Sequence, residues 1–207
     1  MQCMIGSNNR GKVAEIRAIL SGLAVDLVTP EELGLSLSIE ESANSYAGNA
    51  ARKAQAYALE SGLLTLSDDS GLEVDALDGK PGLHSARFSP KPGATDADRR
   101  ALLLSHLDGK PRPWTARFRC VAALAVPLDA TDVIEGMHFS EGIVEGEIIP
   151  EERGENGFGY DPIFLIPKMG RTMAELEMAE KNRISHRARA FLGLRPLLEE
   201  IIANGVD

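Results

Sequence analysis

Short apolar runs alternate with amphipathic stretches along this chain. Residues 2–5 read as a strand, 6–11 as a polar loop, and 12–20 as a helix with Val13, Ile16, Ile19 and Leu20 on one face. Residues 24–29 and 37–39 predict further short strands. Residues 45–61 predict an Ala-rich helix stopped by Gly62, and 64–67 a buried strand that runs out at Asp68-Asp69-Ser70-Gly71. Residues 78–82, Asp-Gly-Lys-Pro-Gly, mark a turn, and Thr95 with Asp98 predicts a capped helix through Leu107. The runs 117–126, 133–139 and 143–149 predict three successive strands, followed by an apolar run at 163–166. Residues 174–203 are mostly helical, with Pro196 as a kink or break. No stretch repeats. The alternation predicts an α/β fold with a mixed central sheet flanked by helices.

Composition narrows the class. With 207 residues and 43% hydrophobic content, the chain can bury a sizeable core as one domain, with room for two lobes around a cleft. No apolar run reaches membrane-spanning length, and Ile5 passes directly into a Gly/Asn-rich loop instead of a signal-type stretch, so a cytoplasmic protein without a membrane partner is expected. Cys3 and Cys120 lie in apolar strand-like runs and read as buried free thiols. A formal charge of -9 argues against a broad nucleic-acid surface, while a single phosphorylated small molecule remains compatible.

Four segments could carry chemistry beside Asp68-Asp69, whose adjacent carboxylates are costly to bury without a cation or a proton-transfer task. Ser7-Asn8-Asn9-Arg10-Gly11-Lys12 joins strand to helix, so backbone N–H groups and a positive helix end face its guest, for which phosphate is suited. It lacks Walker A spacing. Glu40-Glu41 precede a helix on which Tyr46, Asn49 and Lys53 share a face; the two acids read either as metal ligands or as loop acids at a helix start. Residues 154–162 set Phe158 between Gly157 and Gly159, followed by Tyr160 and Asp161, which offers an aromatic face for a planar base. Finally, Ser185-His186-Arg187 interrupts a helical run with three donor-rich side chains, and Lys181 lies just before it. No Gly-x-Ser-x-Gly elbow accompanies them, which weakens a Ser/His/Asp hydrolase reading.

In order and spacing these segments closely resemble the inosine triphosphatase family, which hydrolyses abnormal purine nucleoside triphosphates. The resemblance runs from Met4 to about Leu192. It rests on Ser7, Asn9 and Lys12; on Glu40-Glu41 with Asn49-Ala50 and Lys53-Ala54; and on residues 68–77, Pro81-Gly82 and Ser85-Ala86-Arg87-Phe88. Residues 157–164, Glu180-Lys181-Asn182 and Ile184-Ser185-His186-Arg187 complete it. Asn8, Ala43 and Tyr46 stand where Gly, Gly and Phe are common.

The resemblance implies an α/β fold with an elongated mixed sheet and two lobes around an active-site cleft. It implies hydrolysis of XTP, ITP and dITP to the monophosphate and pyrophosphate, and a homodimer. Asp69 would be the base and Lys53 a catalytic cation. Mg2+, which takes oxygen ligands and keeps waters, would be held by Asp69 with Glu40 or Glu41, and Asp68 is a further candidate. Ser7 to Lys12 and Ser70 would bind the phosphate end; Phe158, Gly159, Tyr160, Asp161, Lys181, His186 and Arg187 would bind the base end. Alternation along a strand predicts that Asp68 and Asp69 face opposite ways and differ in role. A Maf-like nucleotide pyrophosphatase fits less well at residues 158–161 and 185–187, and a non-catalytic nucleotide-binding regulator does not explain Asp69, Lys53 and the acidic pair.

Overall fold

Strand β3, Leu64–Val74, carries Asp68 and Asp69 in its interior rather than at its end. The computed structural model describes residues 1–128 and 133–204 of the chain. Before β3 come β1 (Gln2–Ile5), α1 (Arg10–Ile19), β2 (Asp26–Val28) and α2 (Tyr46–Ser61). After it come α3 (Asp96–Leu107), β4 (Trp114–Leu128), β5 (Val133–Ile148), β6 (Phe164–Ile166), β7 (Arg171–Thr172), α4 (Met178–Ile184) and α5 (His186–Asn204). Hydrogen-bonded neighbours follow the order β2-β1-β3-β4-β5-β6-β7. β1 pairs in parallel with β2 and β3, whereas β6 is antiparallel to β5 and β7. The sheet is therefore mixed, as expected.

The chain forms two compact units, the first built from Met1–Asp69, Cys120–Gly142 and the residues from Arg187 onward, the second from Ser70–Arg119 and Ile143–His186. In the first, Ile16 of α1, Leu20 just after it, and Phe191 and Leu194 of α5 share a core with Ile5, Leu66, Cys120 and Leu124. Ala50, Ala54 and Ala58 recur every fourth residue along α2 and pack on Ala123 and Ala125. Asn49 and Lys53, one position earlier in each turn, are thereby turned to the side of that contact. In the second unit, Leu103 and Leu107 of α3 join Leu72, Val74, Trp114, Phe118, Phe164, Ile166 and Met173. Among the described residues no helix is long and apolar enough to cross a membrane. Both cysteines are free and buried.

Further expectations are corrected. Residues 37–39 do not join the sheet; Leu37 and Ile39 instead pack their side chains against the Met4, Val28 and Tyr57 cluster. The runs 133–139 and 143–149 form one strand, β5. Its polar middle is a packing point: a Cβ on Gly193 of α5 would lie 2.1 Å from Ser140 Oγ, so the helix lies close against the strand there. α1 begins at Arg10 rather than Lys12, because the Asn9 side chain caps it by accepting the Lys12 N–H at 3.0 Å. Pro196 lies inside α5 without ending it.

Candidate active site

In the first unit, the loop between β1 and α1 is held from both sides. Ser7 Oγ accepts the Asn9 N–H at 3.2 Å, and Asn8 Nδ2 donates to the Tyr57 hydroxyl at 3.3 Å. Gly6 admits no side chain, since a Cβ would lie 2.8 Å from the Tyr57 ring. Asn8, Asn9 and Arg10 are exposed and Gly11 half-buried, so the loop presents polar groups around the first turn of α1. Lys12 reaches back to Asp68, with Nζ 3.0 Å from Oδ2.

Asp68 and Asp69 do turn opposite ways, as β alternation requires. Asp68 is fully buried, and its Oδ2 meets Lys12, the Arg187 guanidinium at 3.3 Å and the Cys120 thiol at 3.6 Å. Burial alone would raise its pKa, but Lys12, Arg187 and Lys53 outweigh that and hold it well below the usual carboxylate range. Its Oδ1 is buried without a hydrogen bond among the described residues. Arg187 is buried as well; its second carboxylate is Glu15 of α1, to which Nη1 donates. Cys120 is kept protonated, because burial and the Asp68 charge push its pKa up.

Asp69 faces α2. Its Oδ2 accepts from Asn49 Nδ2 at 2.9 Å, and Lys53 Nζ lies 3.8 Å from Oδ1. Lys53 also bonds Glu41 Oε1 at 2.6 Å, so one ammonium joins two carboxylates. Asn49 Oδ1 accepts the Ala43 N–H at 3.0 Å, which ties the acidic segment to the same helix face. Burial raises the pKa of Asp69 despite Lys53, Asn49 and Lys12. Lys53 would be lowered by burial, but Asp68, Asp69 and Glu41 raise it, so it remains charged. A poised carboxylate beside fixed cations is the arrangement a general base for a polyanionic substrate needs. Glu40 is exposed, whereas Glu41 is the acid brought to Lys53.

The second unit holds the aromatic loop. Asp161 Oδ2 accepts the Phe158 N–H at 2.9 Å and pairs with Lys181 Nζ at 2.6 Å. Both charges are buried, and the ammonium also lies 5.2 Å from the Phe158 ring centroid. Tyr160 is buried and donates to the Ser85 carbonyl at 2.9 Å. His186 stacks on Phe118, centroids 4.8 Å apart. Ser70 is half-buried on β3, directly after Asp69.

Gly157 has φ +75, and a Cβ there would lie 2.1 Å from Asp161 Oδ2 and 3.2 Å from Lys181 Nζ. Gly157→Ala is therefore expected to cost about 2 kcal/mol of stability. A denaturant melt measures it; an unchanged midpoint would mean that the loop relaxes without loss.

The structure thus joins Lys12 and Arg187 through Asp68; Glu41 and Lys53 with Asp69 on the other side of β3; and Phe158, Asp161 and Lys181 in the aromatic loop. Arg187 was expected to donate to a base, but in this structure its guanidinium bridges Asp68 and Glu15. Sequence reasoning passed over Glu15 and the linking role of Asn49. Glu15 has a sequence signal only in retrospect: it lies three residues after Lys12, on the same face of α1.

The Ham1 family model matches residues 3–197. The chain belongs to the Ham1 family. Curated relatives include a dITP/XTP pyrophosphatase of Desulforamulus reducens, 44% identical over 202 residues, with 97% of each chain covered. Another, from Bacillus subtilis, is 42% identical and covers 96% of this chain and 97% of the relative. Among solved structures, a HAM1 protein from Coxiella burnetii superposes with TM-score 0.82 at 39% identity, covering 97% of this chain and 99% of that one. The Ham1 protein of Staphylococcus aureus gives 0.81 at 36% identity, with the same coverage. This Ham1-family member is a hydrolase, and its α/β fold with a mixed sheet is that of its relatives.

Proposed function

We propose that this protein is a Mg2+-dependent pyrophosphatase that converts XTP, ITP and dITP to the nucleoside monophosphate and pyrophosphate, clearing abnormal purines from the nucleotide pool. The observation that carries the reading is Asp69: a carboxylate with its pKa raised by burial, oriented by Asn49 and flanked by Lys53. The relatives named dITP/XTP pyrophosphatases support the substrate class.

The donor set suits Mg2+. Glu41 and Asp69 offer carboxylate oxygens around Lys53. Among the described residues no three His, Cys, Asp or Glu side chains form a metal cage, so substrate oxygens and water would complete the shell, as Mg2+ prefers. Glu41 and Asp69 would hold the ion, which when bound neutralises charge on the phosphates. Asp69 takes the proton of the attacking water as its oxygen bonds the α-phosphorus; the bond from that phosphorus to the bridging oxygen breaks, and pyrophosphate leaves. Lys12 and Lys53 offset the negative charge that develops. The polar groups of residues 7–12 and Ser70 hold the phosphate end.

Phe158 supplies the stacking face, and Lys181, fixed beside it, the donor aimed at a 6-oxo purine; Gly159, Tyr160 and Asp161 shape that loop, and His186, stacked on Phe118, offers a further base-end group. Adenine would set its 6-amino donor against a donor. Each unsatisfied polar group costs about 1–3 kcal/mol, roughly 5- to 150-fold in selectivity. Arg187 acts on the reaction through Asp68 and Lys12. A cytoplasmic homodimer belongs to the same proposal, and sedimentation tests the dimer.

The test is a panel of XTP, dITP, ITP, dGTP, GTP, dUTP and ATP with Mg2+, separating pyrophosphate from orthophosphate. Pyrophosphate from XTP, ITP and dITP in preference to the others is expected, with turnover lost in EDTA and restored by excess Mg2+. Orthophosphate alone, or turnover indifferent to EDTA, would refute the mechanism.

A further inference from the structure

Helix α3 contributes to none of the motifs, yet two of its residues hold the loop that carries Phe158. Asp96 Oδ2 accepts the Gly159 N–H at 2.7 Å, and Arg100 Nη1 donates to the Gly159 carbonyl at 2.8 Å. The two peptide planes on either side of the Gly159 Cα are thus gripped by residues i and i+4 of one helix, which share a face. Each gripping group is itself fixed. Arg100 Nε and Nη2 form a fork on Glu152, both at 2.8 Å, and the other oxygen of Asp96 is bonded by Arg99. The Thr95–Asp98 capping box anchors the helix start, where the charge of Asp96 is favoured.

The segment needs such a grip. Gly157 and Gly159 have φ +75 and +64, and nothing lies within 4 Å of a Cβ at 159. Gly159 is therefore required by backbone conformation alone, and two flexible residues flank Phe158. From within the loop, Phe158 is held by its N–H to Asp161, whose carboxylate also anchors Lys181. α3 supplies the hold from outside.

We propose that Asp96 and Arg100 are positioning residues for base recognition: by clamping Gly159 they fix the Phe158 face and its spacing to Lys181. This rests on the role given to Phe158 above. It goes beyond that role in assigning selectivity to a helix that touches neither the base nor the reacting atoms.

Steady-state kinetics with ITP and hydrogen–deuterium exchange over residues 157–161 of the free protein test it together. Asp96→Ala and Arg100→Met are expected to raise KM about tenfold with kcat within about twofold, and to speed exchange in that segment. Asp96→Asn keeps an acceptor and should stay within about threefold of the native KM. In a Phe158→Ala background, Arg100→Met should add less than about twofold, because both act through one ring. Unchanged exchange in both variants, a loss confined to kcat, or full additivity with Phe158→Ala would overturn the clamp. If Phe158→Ala alone leaves KM unchanged, the stacking role falls, and exchange decides the clamp by itself. Should Arg100→Met not fold, Arg100→Lys, which cannot hold Glu152 and Gly159 at once, is read in its place.

Discussion

Asp69→Asn is expected to lower kcat for ITP by about a thousandfold or more while leaving affinity for ITP within about threefold. The substitution removes the proton acceptor and the charge, though not the oxygen, of one of the two groups proposed to hold Mg2+. Asn has nearly the same shape, and its carbonyl can still accept from Asn49 Nδ2, which lies 2.9 Å from the present Oδ2. Lys53 keeps Glu41 as its partner at 2.6 Å, so that cation stays in place. Stability should not suffer. Burial raises the pKa of Asp69, so the fold disfavours its charged form, and a neutral isostere is expected to leave the melting temperature unchanged or higher. Single-turnover hydrolysis, calorimetric ITP binding and a thermal melt read the three quantities. Parallel loss of binding and turnover would remove Asp69 from the base role and leave it a binding group.

Arg187→Met has the largest expected effect on stability, about 3–5 kcal/mol. The guanidinium is 1% exposed and serves two carboxylates, of which Asp68 is also 1% exposed and Glu15 3%. Met fills much of the volume, so the cost is electrostatic rather than a cavity. Glu15 loses the guanidinium that its buried carboxylate faces, whereas Asp68 keeps Lys12 at 3.0 Å. For a domain of this size the melting temperature should fall by about 10 °C. Glu15→Gln added to Arg187→Met should recover part of the loss, since it removes the buried charge that Arg187 had faced. A fall below about 1 kcal/mol in the single variant, or no recovery in the double, would show that water or rearrangement satisfies these groups and that the network is not the anchor described here.

The sequence carried the chemistry further than the connections. Ser7 to Lys12, Asp68-Asp69 and the Phe158 loop were each legible because they break local rules: acids in an apolar run, an aromatic between glycines, donors at a helix interruption. α1, α2 and α3 were legible from apolar spacing and capping residues, which act over a few residues. Where β3 and β5 continue through polar residues, local pattern misled. Asp68 and Asp69 remain within a strand because Lys12, Arg187, Asn49 and Lys53 compensate them from other elements. Likewise, Ser140 continues β5 because α5 lies against it at Gly193.

Sequence alone determined the fold class, the buried state of both cysteines and the residue types available for phosphate, metal and base, since these follow from composition and short-range spacing. Only the tertiary structure decided which acid meets Lys53, that Asn49 carries Asp69, that Arg187 bridges Asp68 and Glu15, and that α3 holds Gly159. Each of those contacts joins residues far apart in the chain, and no local periodicity encodes which distant partner will neutralise a buried charge.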